Sequence, residues 1–165
     1  MATEAQREHI AALTRELNTY RAQLTYPPDD VRQPQDAYDF HLTEGQAMAL
    51  MNTGKTLMFD CSEMFAWVLK SVGLWRLPYP GYTGTDLQVC QPHYTNPADA
   101  EVGAGVVFGP GTGHHIAWVY EPDKADPLLA SHGRPGFDLV RLSDLAEEQA
   151  AEGYPGVTFV SLANL

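Results

Sequence analysis

The apolar residues of this chain fall at helical spacing in its first half and in short strand-like runs in its second, and this order most constrains the fold. Helices gathered before strands, rather than alternating with them, point to an α+β layout with an antiparallel sheet. The first expected helix runs from about residue 4 to residue 24. Thr3 and Gln6 have the spacing of a capping box, and Ile10, Leu13, Leu17, Tyr20 and Leu24 form one narrow apolar stripe. Pro27-Pro28-Asp29-Asp30 then stops the ladder. Such a stripe can pack on its own domain or pair with a second copy, so helix-mediated self-association is a possible partner mode.

Residues 27–40 read as an irregular connection, Thr43–Met51 as a short helix, and Asn52-Thr53-Gly54 as a turn. A further helix begins at Asp60, which can cap it while Glu63 returns the capping bond. Met64, Phe65, Val68, Leu69 and Val72 would be its buried face, and Gly73 its left-handed end. The prolines and glycines of residues 74–98 predict a long loop. Strands are expected at Gly105–Phe108, His115–Glu121, Leu128–Ser131, Phe137–Leu142 and Val157–Leu162, with a short helix over Ser143–Glu152. The organisation is thus an N-terminal helix, residues 1–26, ahead of one globular unit, residues 27–165.

At 165 residues, 44% apolar and 19% charged, the chain is long enough for one real core. A formal charge of −11 argues against nucleic acid as a partner, and against binding an anionic membrane or wall by charge alone. No apolar run approaches the roughly 20 residues of a membrane helix, so no membrane partner is expected. Met1-Ala2-Thr3-Glu4 opens no signal peptide, which predicts a protein not exported by the usual route. Two cysteines, Cys61 and Cys90, are too few for a disulfide scaffold.

Cys61 falls in the first turn of an expected helix, where free N–H groups and the dipole favour a thiolate. Taken alone, it reads more readily as a buried structural cysteine, since free cysteine is commonly buried. The second half of the chain shifts that balance. His114-His115 opens an apolar strand, and His132 follows the next strand. A nucleophile on a helix with a base and an orienting group on neighbouring strands has the order of a cysteine-protease triad. Strand alternation puts His115, Ala117 and Val119 on one face and His114, Ile116, Trp118 and Tyr120 on the other. The small Ala117 marks the face expected to receive the Cys61 helix. His132 would then reach the far nitrogen of His115.

Phe59-Asp60-Cys61-Ser62, the Gly103-Ala104-Gly105-Val106-Val107-Phe108 strand and His115-Ile116-Ala117 resemble the NlpC-type papain-like cell-wall cysteine peptidases. Tyr82-Thr83-Gly84-Thr85, His114-His115 and Leu129-Ala130-Ser131-His132-Gly133 are similar to peptidase modules of endolysins from phages of actinobacteria. The resemblance spans about residues 56–142. It implies a papain-like fold, with a catalytic helix on a small antiparallel sheet, that cuts an amide of peptidoglycan stem peptides. It further implies Cys61 as nucleophile, His115 as base, His132 as orienting group, and Tyr26 and Ser62 as oxyanion or substrate candidates. No cofactor is required. A phage lysin would stay in the host cytoplasm until lysis or travel in the virion. Three departures stand out: Glu63 where the family has glycine, no acid in Gly103-Ala104-Gly105, and no Tyr-x-x-Gly-Gly approach to the cysteine.

Other motifs are weaker. Gly54-Lys55-Thr56 lacks the earlier glycine of a phosphate loop, Ala49 standing in its place, and the glycines of 103–113 precede a strand rather than a helix. Cys90 and His93 lie in the proline-rich segment and are expected on its solvent side. The residue types for zinc are present, but no His-x-His, His-x-x-x-His or Cys-x-x-Cys spacing is. A zinc-dependent amidase and a catalytically silent phage structural protein of the same fold are the competing readings.

Overall fold

A capping box opens the first helix, α1 (Glu4–Thr19), with Thr3 Oγ1 accepting from Gln6 N and Gln6 Oε1 accepting from Thr3 N. The computed structural model describes residues 1–28 and 38–165. Part of the connection read over 27–40, with Asp29, Asp30 and Arg32, lies outside the described residues. Ile10, Leu13 and Leu17 of α1 are fully buried, each worth about 1.5–3 kcal/mol of burial. The helix ends at Thr19 rather than near residue 24. Tyr20 leaves helical geometry, a 3-10 turn covers Arg21–Gln23, and Leu24–Thr25 form strand β1. Leu24 is buried by pairing with Leu57 of β2 (Leu57–Met58), not by the helical stripe.

Residues 1–26 are not a separate unit. Their stripe belongs to the main core, and Thr14 Oγ1 accepts a hydrogen bond from Trp118 Nε1 at 3.0 Å. That stripe is therefore not a surface on which self-association can occur.

Thr43 and Gln46 form a second capping box at the start of α2 (Glu44–Asn52). Asp60 caps α3 (Cys61–Ser71), and Gly73, at φ 81°, takes the left-handed position after it. Every residue from Cys61 to Leu69 is buried, so α3 is covered all round. Glu63 does not return the capping bond. Its carboxylate accepts from Tyr38 N and Asp39 N at 2.9 and 3.3 Å, while Trp67 Nε1 and Lys70 Nζ donate to Leu42 O. Residues 63, 67 and 70 share one helix face, and together they fasten the segment 38–42 along it.

The region 74–98 is more ordered than its prolines predict. It holds α4 (Thr83–Val89) and β3 (His93–Tyr94). Thr85 Oγ1 accepts from Tyr82 N to open α4. Cys90 at its end is fully buried, not on the solvent side, whereas His93 is exposed.

The remaining strands are β4 (Gly105–Phe108), β5 (His115–Glu121), β6 (Leu128–Gly133), β7 (Gly136–Arg141) and β8 (Val157–Val160), with α5 (Leu142–Ala151) before the last. They form a six-stranded antiparallel sheet in the order β3-β8-β4-β5-β6-β7. The chain is α+β. Among the described residues no helix is long and apolar enough to cross a membrane.

The register separates the sheet's two faces. Val107, Ile116, Trp118, Ala130 and Val160 pack with α3, and Val106, Phe108, Ala117, Val119 and Leu129 pack with Leu145 of α5. The Cys61 helix thus lies on the Ile116–Trp118 face, opposite to the one expected from Ala117. The residue that admits it is Gly105. A Cβ there would stand 2.5 Å from Val160 Cγ2 and 3.0 Å from Phe65 Cζ.

Candidate active site

Parallel pairing of β1 with β2 is what brings the first pair of site residues together. Leu24 pairs with Leu57 and Thr25 with Met58, and Phe59 N donates to Thr25 O. The chain therefore leaves both strands side by side, with Tyr26 on one and Phe59-Asp60-Cys61 on the other. Tyr26 Oη donates to Cys61 Sγ at 3.7 Å. Cys61 is 2% exposed at the first position of α3, where the helix dipole favours a negative sulfur. The Asp60 side chain accepts from Glu63 N at 2.7 Å and from Ser62 Oγ at 3.0 Å. Ser62 Oγ also reaches Gly81 O, so this buried hydroxyl is engaged in holding the turn before α4.

His132 does not orient His115. Its Nε2 lies 3.0 Å from Thr25 O and 2.9 Å from Phe59 O. Carbonyls only accept, so Nε2 carries the proton and the ring clamps β1 and the approach to α3 onto β6. Burial pushes its pKa down, against the two carbonyls. Its Nδ1 is buried and has no partner among the described residues.

The partner of His115 is Ser131, with Nε2 and Oγ 2.9 Å apart. The pairing follows from the register: Ala117 faces Ser131 across β5 and β6, which puts Ser131 and Gly133 on the His115 side of the sheet. A Cβ at Gly133 would lie 3.7 Å from His115 Cε1, so the glycine leaves room for the ring. Burial first, then His114 and His132, lower the His115 pKa to about 4, and the ring is neutral near pH 7. Sequence reasoning missed Ser131. The signal was its place two residues from Gly133 on an alternating strand, but the register was needed to use it.

A cleft of about 410 Å³ is lined by residues that include Tyr26, His114, His115, Ser131, Arg134 and Tyr154. The His114 ring stacks on Tyr154 at 3.5 Å between centroids. His114 also lines a second cleft of about 310 Å³ with Ser62, Thr83, Gly84 and Gly113. Tyr26 and Ser62 thus each share a cleft with His114.

The second cysteine differs in kind. Burial and the neighbouring Asp86 push the Cys90 thiol up, far from a reactive range. Asp86 is itself fully buried with both carboxylate oxygens unpartnered among the described residues, and burial and Asp60 raise its pKa well above the ordinary value. No three His, Cys, Asp or Glu side chains among the described residues are grouped to hold a metal ion, a set that a zinc amidase requires.

No protein family model, curated protein or solved structure matches this chain.

Proposed function

We propose that the chain is a papain-like cysteine hydrolase that cleaves an amide bond in peptidoglycan stem peptides. The observation that carries this reading is Cys61 at the start of α3 with the Tyr26 phenol on its sulfur, beside a cleft that Tyr26 shares with His114 and His115. The Cys61 thiolate would attack the amide carbonyl, and N–H groups at the start of α3 with the Tyr26 phenol would stabilise the oxyanion. His115 would take the thiol proton and pass it to the leaving amine, and water would then release the acyl group from sulfur. Ser131, holding Nε2, would take the orienting part expected of His132 and leave Nδ1 for proton exchange. Peptidoglycan as the substrate, and a phage lysin as the context, rest on the resemblance of the Asp60-Cys61-Ser62 and His115-Ile116-Ala117 segments.

A catalytically silent protein of the same fold is the second reading. It is favoured by the His115 ring lying on the sheet face turned away from the body of α3. Incubating the purified protein with peptidoglycan and assaying new amine ends separates the two. Release by wild type that survives EDTA and disappears in Cys61→Ala supports the hydrolase. No release by wild type supports the silent protein, and loss in EDTA that zinc restores points to a metal amidase.

A further inference from the structure

The smaller cleft, of about 310 Å³, differs in chemistry from the larger one. Arg134, Asp138, Glu148 and Glu152 border the larger, whereas no Asp, Glu, Lys or Arg is among the described residues that line the smaller. Its polar side chains are hydroxyls, those of Ser62, Tyr82, Thr83 and Thr112, with the His114 ring that also lines the larger cleft. Gly113, at φ 80°, lets the turn before β5 lie directly against the start of α4. A Cβ there would run into Val107 Cγ1 and stand 3.0 Å from Thr83 Cγ2.

Ser62 and Thr83 are the buried hydroxyls of this cleft, and they differ. Ser62 Oγ is engaged with the Asp60 carboxylate and Gly81 O. Thr83 is 8% exposed, its methyl is turned to Gly113, and its Oγ1 makes no hydrogen bond among the described residues. Unlike the carboxylate oxygens of Asp86, that hydroxyl is not sealed from solvent. A nearly buried hydroxyl with its proton and both lone pairs to offer is satisfied by a group that reaches it through the cleft. Aromatic rings supply a second observation. Tyr82, 42% exposed, lines the cleft, and Tyr79, 38% exposed, precedes it in the same loop. Every other Phe, Tyr and Trp among the described residues is less exposed than these two.

A pyranose ring matches this set of groups. Its C–H face suits the negative face of an aromatic ring, and its hydroxyls exchange hydrogen bonds with side-chain hydroxyls without any charge. An extended peptide would call for a free strand edge. The lining residues come from the starts of α3 and α4 and the turn before β5, which offer none. We propose that the smaller cleft is a subsite for one uncharged pyranose ring of a glycan, stacked on Tyr82 and hydrogen-bonded to Thr83. The inference deepens the proposed function and rests on it for that ring belonging to the glycan that carries the stem peptide. Since His114 lines both clefts, the sugar then occupies the smaller and the peptide the larger.

The test titrates the full-length wild-type protein with N,N′,N″-triacetylchitotriose, a glycan without peptide, and with N-acetyl-trialanine methylamide, a neutral peptide. Backbone amide NMR shifts locate each. The trisaccharide should give saturable shifts centred on residues 82–84 and 112–114. Thr83→Val keeps the methyl and the shape without the hydroxyl, and should weaken trisaccharide binding about fivefold, the loss of one hydrogen bond. Tyr82→Ala should weaken it on the order of tenfold by removing the stacking face. Both variants should keep the wild-type melting temperature, since Thr83→Val preserves packing and Tyr82 is exposed. No saturable shift with the trisaccharide, shifts centred elsewhere, or undiminished binding in either variant overturns the subsite. Equal or tighter binding of the peptide at the same residues overturns it in favour of a peptide. The trisaccharide contains no stem peptide, so failure of the amine-release assay leaves saccharide binding measurable, and absence of saccharide binding leaves the hydrolase to that assay.

Discussion

His115 and Ser131 meet at 2.9 Å on the face of the sheet that carries α5, while the body of α3 packs on the other face. The imidazole therefore has a fixed partner on its own face, and Tyr26 and His114 line the same cleft.

This arrangement predicts an order among the histidine variants. On the proposed mechanism, His115→Ala should lower amine release from peptidoglycan nearly as far as Cys61→Ala, because a nucleophile and its base act as a unit. Ser131→Ala should keep a residual rate, since it loosens the ring without removing it. His132→Ala should instead lower stability by about 2–4 kcal/mol, because it leaves a cavity and takes the ring N–H from Phe59 O, while Thr25 O keeps the Phe59 N–H. Turnover and denaturant unfolding of the three variants check this. An inactive His114→Ala beside an active His115→Ala would move the base to His114.

Tyr26→Phe tests the phenol's hydrogen bond to the thiol. A donor on sulfur favours the thiolate, so its removal should slow alkylation of Cys61 by iodoacetamide near neutral pH. One hydrogen bond of about 1 kcal/mol corresponds to about fivefold. Cys90 should label far more slowly in both proteins, since it is fully buried and its thiol is pushed up. Equal labelling rates at Cys61 in wild type and Tyr26→Phe would remove the phenol from the site.

Local signals in the sequence carried the elements that local chemistry fixes. The Thr3–Gln6 capping box, the Asp60 cap, Gly73 and the alternation of β5 were all legible. Leu24 was misread because its spacing suits a helical stripe, whereas its burial comes from a strand partner 33 residues away. The seven residues of α4 were hidden by flanking prolines and glycines. At the site, Cys61 and Tyr26 could be singled out, but the parallel pairing that joins them is non-local. The face taken by α3 was misjudged because Ala117 is small and visible on its own strand. The decisive gap is at Gly105, whose meaning depends on Phe65 and Val160 approaching it.

Gly105→Ala follows from that gap. Its Cβ would enter within 2.5 Å of Val160 Cγ2, so β8 or α3 must shift to accept it. Overpacking of this kind should cost about 1–3 kcal/mol in denaturant unfolding. Ala117→Gly, on the opposite face, should leave the seat of α3 unchanged and cost only its own lost burial and backbone entropy. Matching losses in Cys61 reactivity for both variants would contradict the assignment of α3 to the Gly105 face.

Glu63 should give the fold an alkaline weakness. Burial, the largest cause, raises its pKa to about 8 against the two backbone donors, Tyr38 and Asp39. The folded state therefore holds this proton more tightly than the unfolded state, whose value is 4.5. The resulting stability is fully present below pH 4.5 and is lost as pH rises towards 8, with a slope of at most about 1.4 kcal/mol per pH unit. His115 acts in the opposite direction. Its pKa falls from 6.5 to about 4, so its contribution is complete above pH 6.5 and is lost only on acidification. Asp86 has the same sign as Glu63, so the variant must isolate Glu63. Glu63→Gln keeps the size of the side chain and cannot ionise. Between pH 6.5 and 8 its urea unfolding free energy should fall less steeply than that of wild type, so the two curves converge or cross as pH rises. Parallel curves across that interval would mean that Glu63 is already ionised at its place under residues 38 and 39.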